Sequence, residues 1–481
     1  MPDKDQPPGM GGRSLDPKRP VLLLLTSHWV SLLGAALVTT AGFSWLFVLP
    51  LHLRGGAGNP YIGLVAFIGI PIVFFAGLAL IPVGIFLAKR HIAPALAAAN
   101  RRVIVQRLVL FFGVMTVINI VIGSQITYRA VAHMETNQFC GQSCHVMKPE
   151  FTAHLTGPHQ KVACVECHIT PGAAGFVAAK IAGSRQLEEV TFNSFPRPIP
   201  SGLESDRLAP SVDTCEQCHS RERNSGSKLR IISKFKDDEA NTPTKTVLMM
   251  SIGGGASAGG IHGAHMGPGV VIRYAAADAK RQTIPWVEYH NGNTGETRTY
   301  VAGDAKPAVI ASMQHFEMEC ADCHNRPTHA FELPEQAVDR ALAAGEIPTT
   351  LPYAKKTGVG ILKAAYAGDD DAAAKIPAAF TSFYQQKYPA VWSKNGNDVS
   401  RGARAVLALY ERNVFPDLKV TWGTYPNNLG HADYPGCFRC HDESHTTAAK
   451  KTISQDCNLC HNPLAVDETS PEVLKTLGLT K

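Results

Sequence analysis

Spare cysteine is absent from this chain. Its twelve cysteines fall into pairs, and each pair is followed at once by histidine. Paired cysteines could build a disulfide framework or zinc sites. Cys437-x2-Cys440 and Cys457-x2-Cys460, sixteen residues apart, even have the spacing of a zinc ribbon. Neither alternative puts a histidine behind the second cysteine of every pair. Charge is missing too: Trp29–Leu53, 61–88 and 108–127 contain no Asp, Glu, Lys or Arg. At 1.5 Å per helical residue each run can cross a hydrocarbon layer of about 30 Å, which argues against a soluble reading of this part of the chain. Asp, Glu, Lys and Arg make up only 18% of the sequence, and its formal charge is +6.

What is present is a repeated attachment pattern. Cys164-Val-Glu-Cys167-His168, Cys215-Glu-Gln-Cys218-His219, Cys320-Ala-Asp-Cys323-His324, Cys437-Phe-Arg-Cys440-His441 and Cys457-Asn-Leu-Cys460-His461 all read Cys-x-x-Cys-His. In this pattern two sulfurs bond to haem c and the adjacent imidazole binds its iron. Cys140-Gly-Gln-Ser-Cys144-His145 has one extra residue between its cysteines. Counting it, six haems use all twelve cysteines. Their roughly twelve propionates, set against about +1 per ferric site, bring the oxidised protein close to neutrality. The sequence pI of 8.6 is therefore a poor guide to partners, and no nucleic-acid partner is expected.

In chain order, residues 1–28 read as a polar cytoplasmic tail and 29–128 as three transmembrane helices. The tail carries Lys4, Arg13, Lys18 and Arg19. The second link carries Lys89, Arg90, Arg101, Arg102 and Arg107, whereas the first carries only Arg54. By the positive-inside rule the tail and second link are cytoplasmic, and everything after Tyr128 is periplasmic. Residues 129–220 form a three-haem region and 221–319 a partly β insertion, with strand-like runs at 247–252, 270–274 and 284–289 and a turn at 291–295. Residues 320–481 form a second three-haem region with a helical insertion, helices being expected at 335–344 and 400–413 and a solvated turn at Asp369-Asp-Asp371. The fold expected is mainly α: a three-helix transmembrane domain, then a loop-rich multihaem cytochrome c domain with a small β insertion. The last two motifs should form a stacked pair.

An electron-transfer haem needs a second axial ligand, usually His or Met. Outside the motifs and the membrane region, His133, His154, His159, His262, His265, His290, His315, His329, His431 and His445 remain. His159, His262, His265, His315, His329, His431 and His445, near motifs or in Gly-rich turns, are preferred, and Met147 is a further candidate. Ligands outnumber haems and no Cys-x-x-Cys-Lys motif is present, so an open-site terminal reductase is not required.

Residues 129–220 resemble the NapC/NirT family of membrane-anchored multihaem quinol dehydrogenases, through Cys140, Cys144-His145-Val-Met147, Gly157-Pro-His159, Cys164-Val-Glu-Cys167-His168 and Lys180. The resemblance implies that Met147 can ligate the first haem in place of His145, that His159 ligates a later haem, and that Lys180 lies beside the quinol with an acid near Glu188. This chain departs from the short family pattern in its three spans, its longer first motif and its two extra haems. The stretches His315 to His329 and Gly260-Ile-His262-Gly-Ala-His265 are similar to longer inner-membrane cytochromes of metal-reducing bacteria. The implied function is quinol oxidation at the inner membrane in anaerobic respiration, with electrons passing to a periplasmic c-type cytochrome or reductase. A relay subunit of a larger membrane complex that never meets quinol is one alternative, and a multihaem terminal reductase is the other. The partners expected are the quinol pool and the lipid bilayer.

Overall fold

The computed structural model describes residues 28–53, 69–91, 101–143, 145–205, 208–220, 225–254, 259–303 and 305–479. Residues 1–27 of the expected tail, the whole first interhelical link, residues 92–100 of the second, residues 61–68 of the second uncharged run and Cys144 lie outside the described residues. The chain divides into two compact units, 1–144 and 145–481.

In the first unit three helices follow one another: α1 (Trp29–Leu53), α2 (Ile70–His91) and α3 (Arg101–Met134). The last outruns the expected 108–127 at both ends. Among the described residues, Ile70–Ala88 and Val109–Met134 are long and apolar enough to cross a membrane, while the described apolar part of α1 is the shorter Trp29–Ser44. Small residues let α1 and α2 approach to backbone contact, as at helix crossings in lipid. A Cβ on Gly34 would lie 2.6 Å from the Gly77 carbonyl oxygen, and one on Gly84 2.2 Å from the Ser31 nitrogen.

The second unit opens with α4 (Lys148–His154) and α5 (Ala173–Thr191). Next come β1 (Ser227–Phe235), β2 (Pro243–Ser251), the short α6 (Gly260–Met266), β3 (Val270–Ala276), β4 (Trp286–Asn291), β5 (Glu296–Ala302) and β6 (Gln314–Glu317). β4 and β5 make the hairpin announced by Asn291-Gly-Asn-Thr-Gly295; Gly295 takes φ +71°, a value few side chains tolerate. The strands do not form a self-contained insertion. A three-stranded antiparallel sheet, β1-β2-β8, is completed by β8 (His461–Glu468), and a five-stranded one, β6-β3-β4-β5-β7, by β7 (His445–Thr446). The C-terminal motifs are thus tied into the β region by pairing that no local pattern announces.

Four helices, α7 (Pro334–Ala343), α8 (Ala354–Leu362), α9 (Asp369–Lys387) and α10 (Pro389–Asn413), enclose a core that includes Val338, Leu342, Ile347, Leu351, Ile376, Phe380, Tyr384, Val399 and Val406. Each such side chain contributes about 1.5–3 kcal/mol of burial free energy. α10 absorbs the expected helix at 400–413 and extends it backwards across a kink at Asn395. Asp369-Asp-Asp371 is not a solvated turn but the first turn of α9. There the carboxylates suit the helix N-terminus, and Asp371 accepts from the Ala367 N–H at 3.0 Å. Asn241, fully buried, bonds to the Leu351 and Thr349 carbonyls and receives the Lys355 N–H, anchoring the β1–β2 loop to these helices.

Candidate functional site

Each described attachment motif is wound into a single helical turn. Cys164–His168 and Cys320–Cys323 are α-helical, and Cys215–Gln217, Gly436–Arg439 and Cys457–Leu459 are 3-10 turns. Such a turn puts residues three apart on one face, so both sulfurs point the same way. The histidine closes it: its N–H donates to the first cysteine's carbonyl in His219 (2.8 Å), His324 (2.8 Å) and His441 (3.1 Å). The longer first motif begins in a π-helical turn, Phe139–Ser143, the wider winding that absorbs one extra residue. The side chain of His145 lies outside the described residues. Met147 ends the adjoining 3-10 turn at the N-cap of α4.

Five motif histidines each face one non-motif imidazole. The ring centroids are 6.1 Å apart for His168 and His329, 5.9 Å for His219 and His159, 6.3 Å for His324 and His262, 5.8 Å for His441 and His265, and 6.0 Å for His461 and His431. A metal–imidazole bond is about 2 Å, so one metal held in line between two rings places their centres about 6 Å apart. The residues therefore fit iron held by two histidines at each of these five positions. Among the described residues no cysteine is bridged, and no three His, Cys, Asp or Glu side chains converge as a direct metal site would need.

The protein also prepares these rings. Nδ1 of His159, His265, His329 and His441 donates to the backbone carbonyls of Pro327, Ile261, Glu150 and Ser454 at 3.3, 2.7, 2.9 and 2.8 Å. That fixes the tautomer and leaves the Nε2 lone pair for a metal. Burial lowers the basicity of His168, His265 and His324, and takes His329 down to about 4, so these rings are neutral, the ligating form, near neutral pH. Behind His329 lie the buried Glu150 and Arg326, 3.5 Å apart, with the guanidinium over the Tyr425 ring. Burial raises the Glu150 carboxyl against the pull of Arg326. His154 packs 6.1 Å from His329, with Nδ1 on the Thr328 hydroxyl.

Two expected ligands lie outside these five facing pairs. His445, 1% exposed, sets Nδ1 against Asp442 Oδ1 at 2.8 Å and Nε2 against the Ile284 carbonyl at 2.6 Å. An acceptor faces each ring nitrogen, so neither is turned towards a metal, and the ring pins β7 to the loop before β4. His315 packs edge-on against Trp286 at 5.1 Å, and its Nδ1 donates to the Met313 carbonyl. Sequence reasoning also missed a buried cluster at the fourth motif. Asp322, inside that motif, accepts from the Tyr274 hydroxyl and from Arg281 at 3.0 Å, caps the Glu319 N–H at 2.8 Å, and offers its carbonyl to Arg439 of the fifth motif at 2.8 Å. Only the acid in a Cys-x-Asp-Cys turn hinted at it.

Lys180 and Glu188 both lie on α5, a helix with no buried residue. They share one stripe with Phe176, Val177 and Ile181, which are 37%, 55% and 55% exposed, and the Lys180 ammonium sits 4.8 Å over the Phe176 ring.

Residues 102–247 match the N-terminal region of the NapC/NirT cytochrome c family. Over 444 residues the chain is 36% identical to the cytochrome c-type protein ImcH of Geobacter sulfurreducens, a match that covers 90% of this chain and 87% of that protein. No solved structure matches. With similarity of this extent joined to attachment turns and facing imidazoles, the chain belongs to the NapC/NirT family of membrane-anchored multihaem cytochromes and carries covalently bound haem c.

Proposed function

We propose that this protein is an inner-membrane quinol dehydrogenase, anchored by α1, α2 and α3, with six c-type haems on the periplasmic side serving a periplasmic acceptor in anaerobic respiration. Haem c held by these residues would supply one-electron ferric/ferrous chemistry. The twelve cysteines would fix the six haems, and His168, His219, His324, His441 and His461 would ligate with His329, His159, His262, His265 and His431 as their respective partners. His145 or Met147 would serve the first. The observation that carries the quinol reading is α5. A helix with no fully buried residue along its length, packed on a core only near its end through Val190, and showing an apolar stripe suits the membrane surface, where a quinol headgroup arrives. On that stripe the Lys180 ammonium can donate a hydrogen bond to a quinol oxygen and the Glu188 carboxylate can take its proton.

The test is to mix detergent-solubilised protein with a reduced menaquinol analogue and follow the haem α-band. Lys180→Ala, with all haems retained, should slow quinol-driven reduction by about one to two orders of magnitude, the usual loss for a positioned acid–base group. Dithionite reduction should be unchanged. Reduction by quinol at the wild-type rate would remove Lys180 from the site.

A further inference from the structure

The contacts between attachment motifs run in one order. Cys167 of the second motif neighbours Cys215 and Cys218 of the third. The Cys215 and Cys320 sulfurs of the third and fourth lie next to each other, and just ahead of them the Ser211 N–H donates to Glu319 Oε2 at 3.0 Å. Cys323 of the fourth neighbours Cys437 of the fifth, where Arg439 reaches back to the Asp322 carbonyl. The imidazoles facing those two motifs, His262 and His265, stand three residues apart on the short helix α6. Finally, Phe438, between the cysteines of the fifth motif, stacks on His431 at 4.2 Å and 16°, and His431 faces His461 of the sixth. Each step joins neighbours in sequence.

We propose that motifs two to six hold their haems in one unbranched row in sequence order, and that the sixth motif, ending at His461, is where electrons leave to a soluble c-type cytochrome. The direction of flow rests on the quinol reading above; the row does not. Quinol oxidation to quinone releases two electrons and two protons. The protons would leave at the membrane side, and haems held by these motifs would pass the two electrons singly to two ferric cytochrome molecules at the far end. Cys457 is exposed, and the motif leads directly into β8, an edge strand of its sheet.

Cutting the row tests it. Cys320→Ala/Cys323→Ala, with five haems by pyridine haemochrome, should let quinol reduce the haems of the first three motifs and leave the last two ferric until dithionite is added. Prompt reduction of all five by quinol would overturn the unbranched order. Cys457→Ala/Cys460→Ala should keep quinol-driven reduction of its five haems while reduction of added soluble cytochrome c falls at least tenfold; an unchanged rate would move the exit elsewhere. Should the first variant fail to fold, His262→Met retains every thioether attachment and should slow reduction of the last two haems at least tenfold, with no slowing counting against the row. If quinol reduces no haem in the wild type, the quinol reading falls by itself. The row then stands or falls on EPR of the oxidised protein, where spin coupling is expected between the third and fourth haems and the fourth and fifth, and its absence would refute it.

Discussion

Replacing Arg281 by leucine tests how the fourth and fifth motifs are held together. The guanidinium and the Asp322 carboxylate form a 3.0 Å pair with side chains 7% and 5% exposed. Arg281 also donates to the Tyr274 hydroxyl at 3.1 Å and to the Leu203 carbonyl at 3.3 Å, and stacks 3.6 Å over Phe316. Leucine would restore part of the packing and none of the charge, leaving a carboxylate in a site from which water is largely excluded. Breaking one side of a buried pair costs about 3–5 kcal/mol, which for a unit of this size lowers Tm by about 6–10 °C. Neutralising the stranded carboxylate should recover part of that. Arg281→Leu/Asp322→Asn is expected to melt above Arg281→Leu, with a coupling of about 1–3 kcal/mol in the double-mutant cycle. Thermal melts of the fully haem-loaded protein in detergent, followed at the Soret band, measure all four corners. A single variant within 2 °C of wild type, or additive effects in the cycle, would refute the claim that the pair is buried and coupled, at about 2 °C per kcal/mol.

Other outcomes follow from single sites. His431→Ala should turn one low-spin haem high-spin, whereas His445→Leu should leave every haem low-spin and cost about 1–3 kcal/mol through the unpaired Ile284 carbonyl; EPR separates the two. Burial raises the Glu335 carboxyl, but the hydrogen bond and charge of Lys363 outweigh it and hold it below its ordinary 4.5. A carboxyl so depressed contributes stability above its unfolded pKa and loses it as pH falls through the lower folded value. The advantage of wild type over Lys363→Met, at most about 1 kcal/mol for so exposed a pair, should therefore be full at pH 7 and fade below pH 4.5 in urea titrations. A phosphatase fused after Lys481 should be active and one fused within 89–107 silent, and the reverse pattern would invert the topology.

The sequence by itself determined whatever is local. Covalent attachment needs two sulfurs and an imidazole within five residues, so Cys164 to His168 and its repeats are legible wherever they stand, and the apolar runs of α1, α2 and α3 announce themselves by what they lack. Helices with an amphipathic period, such as α7, were also readable. The second axial position is different in kind, because any neutral imidazole can fill it and the fold alone brings one near. His168 meets His329 from beyond the fourth motif, and His461 meets His431 from before the fifth. His445 and His315 looked equally eligible in the sequence. Only tertiary structure spends the nitrogens of His445 on Asp442 and Ile284 and turns His315 against Trp286. The closing of both sheets by β7 and β8 was hidden for the same reason, since strand partners more than a hundred residues apart leave no mark on either segment alone.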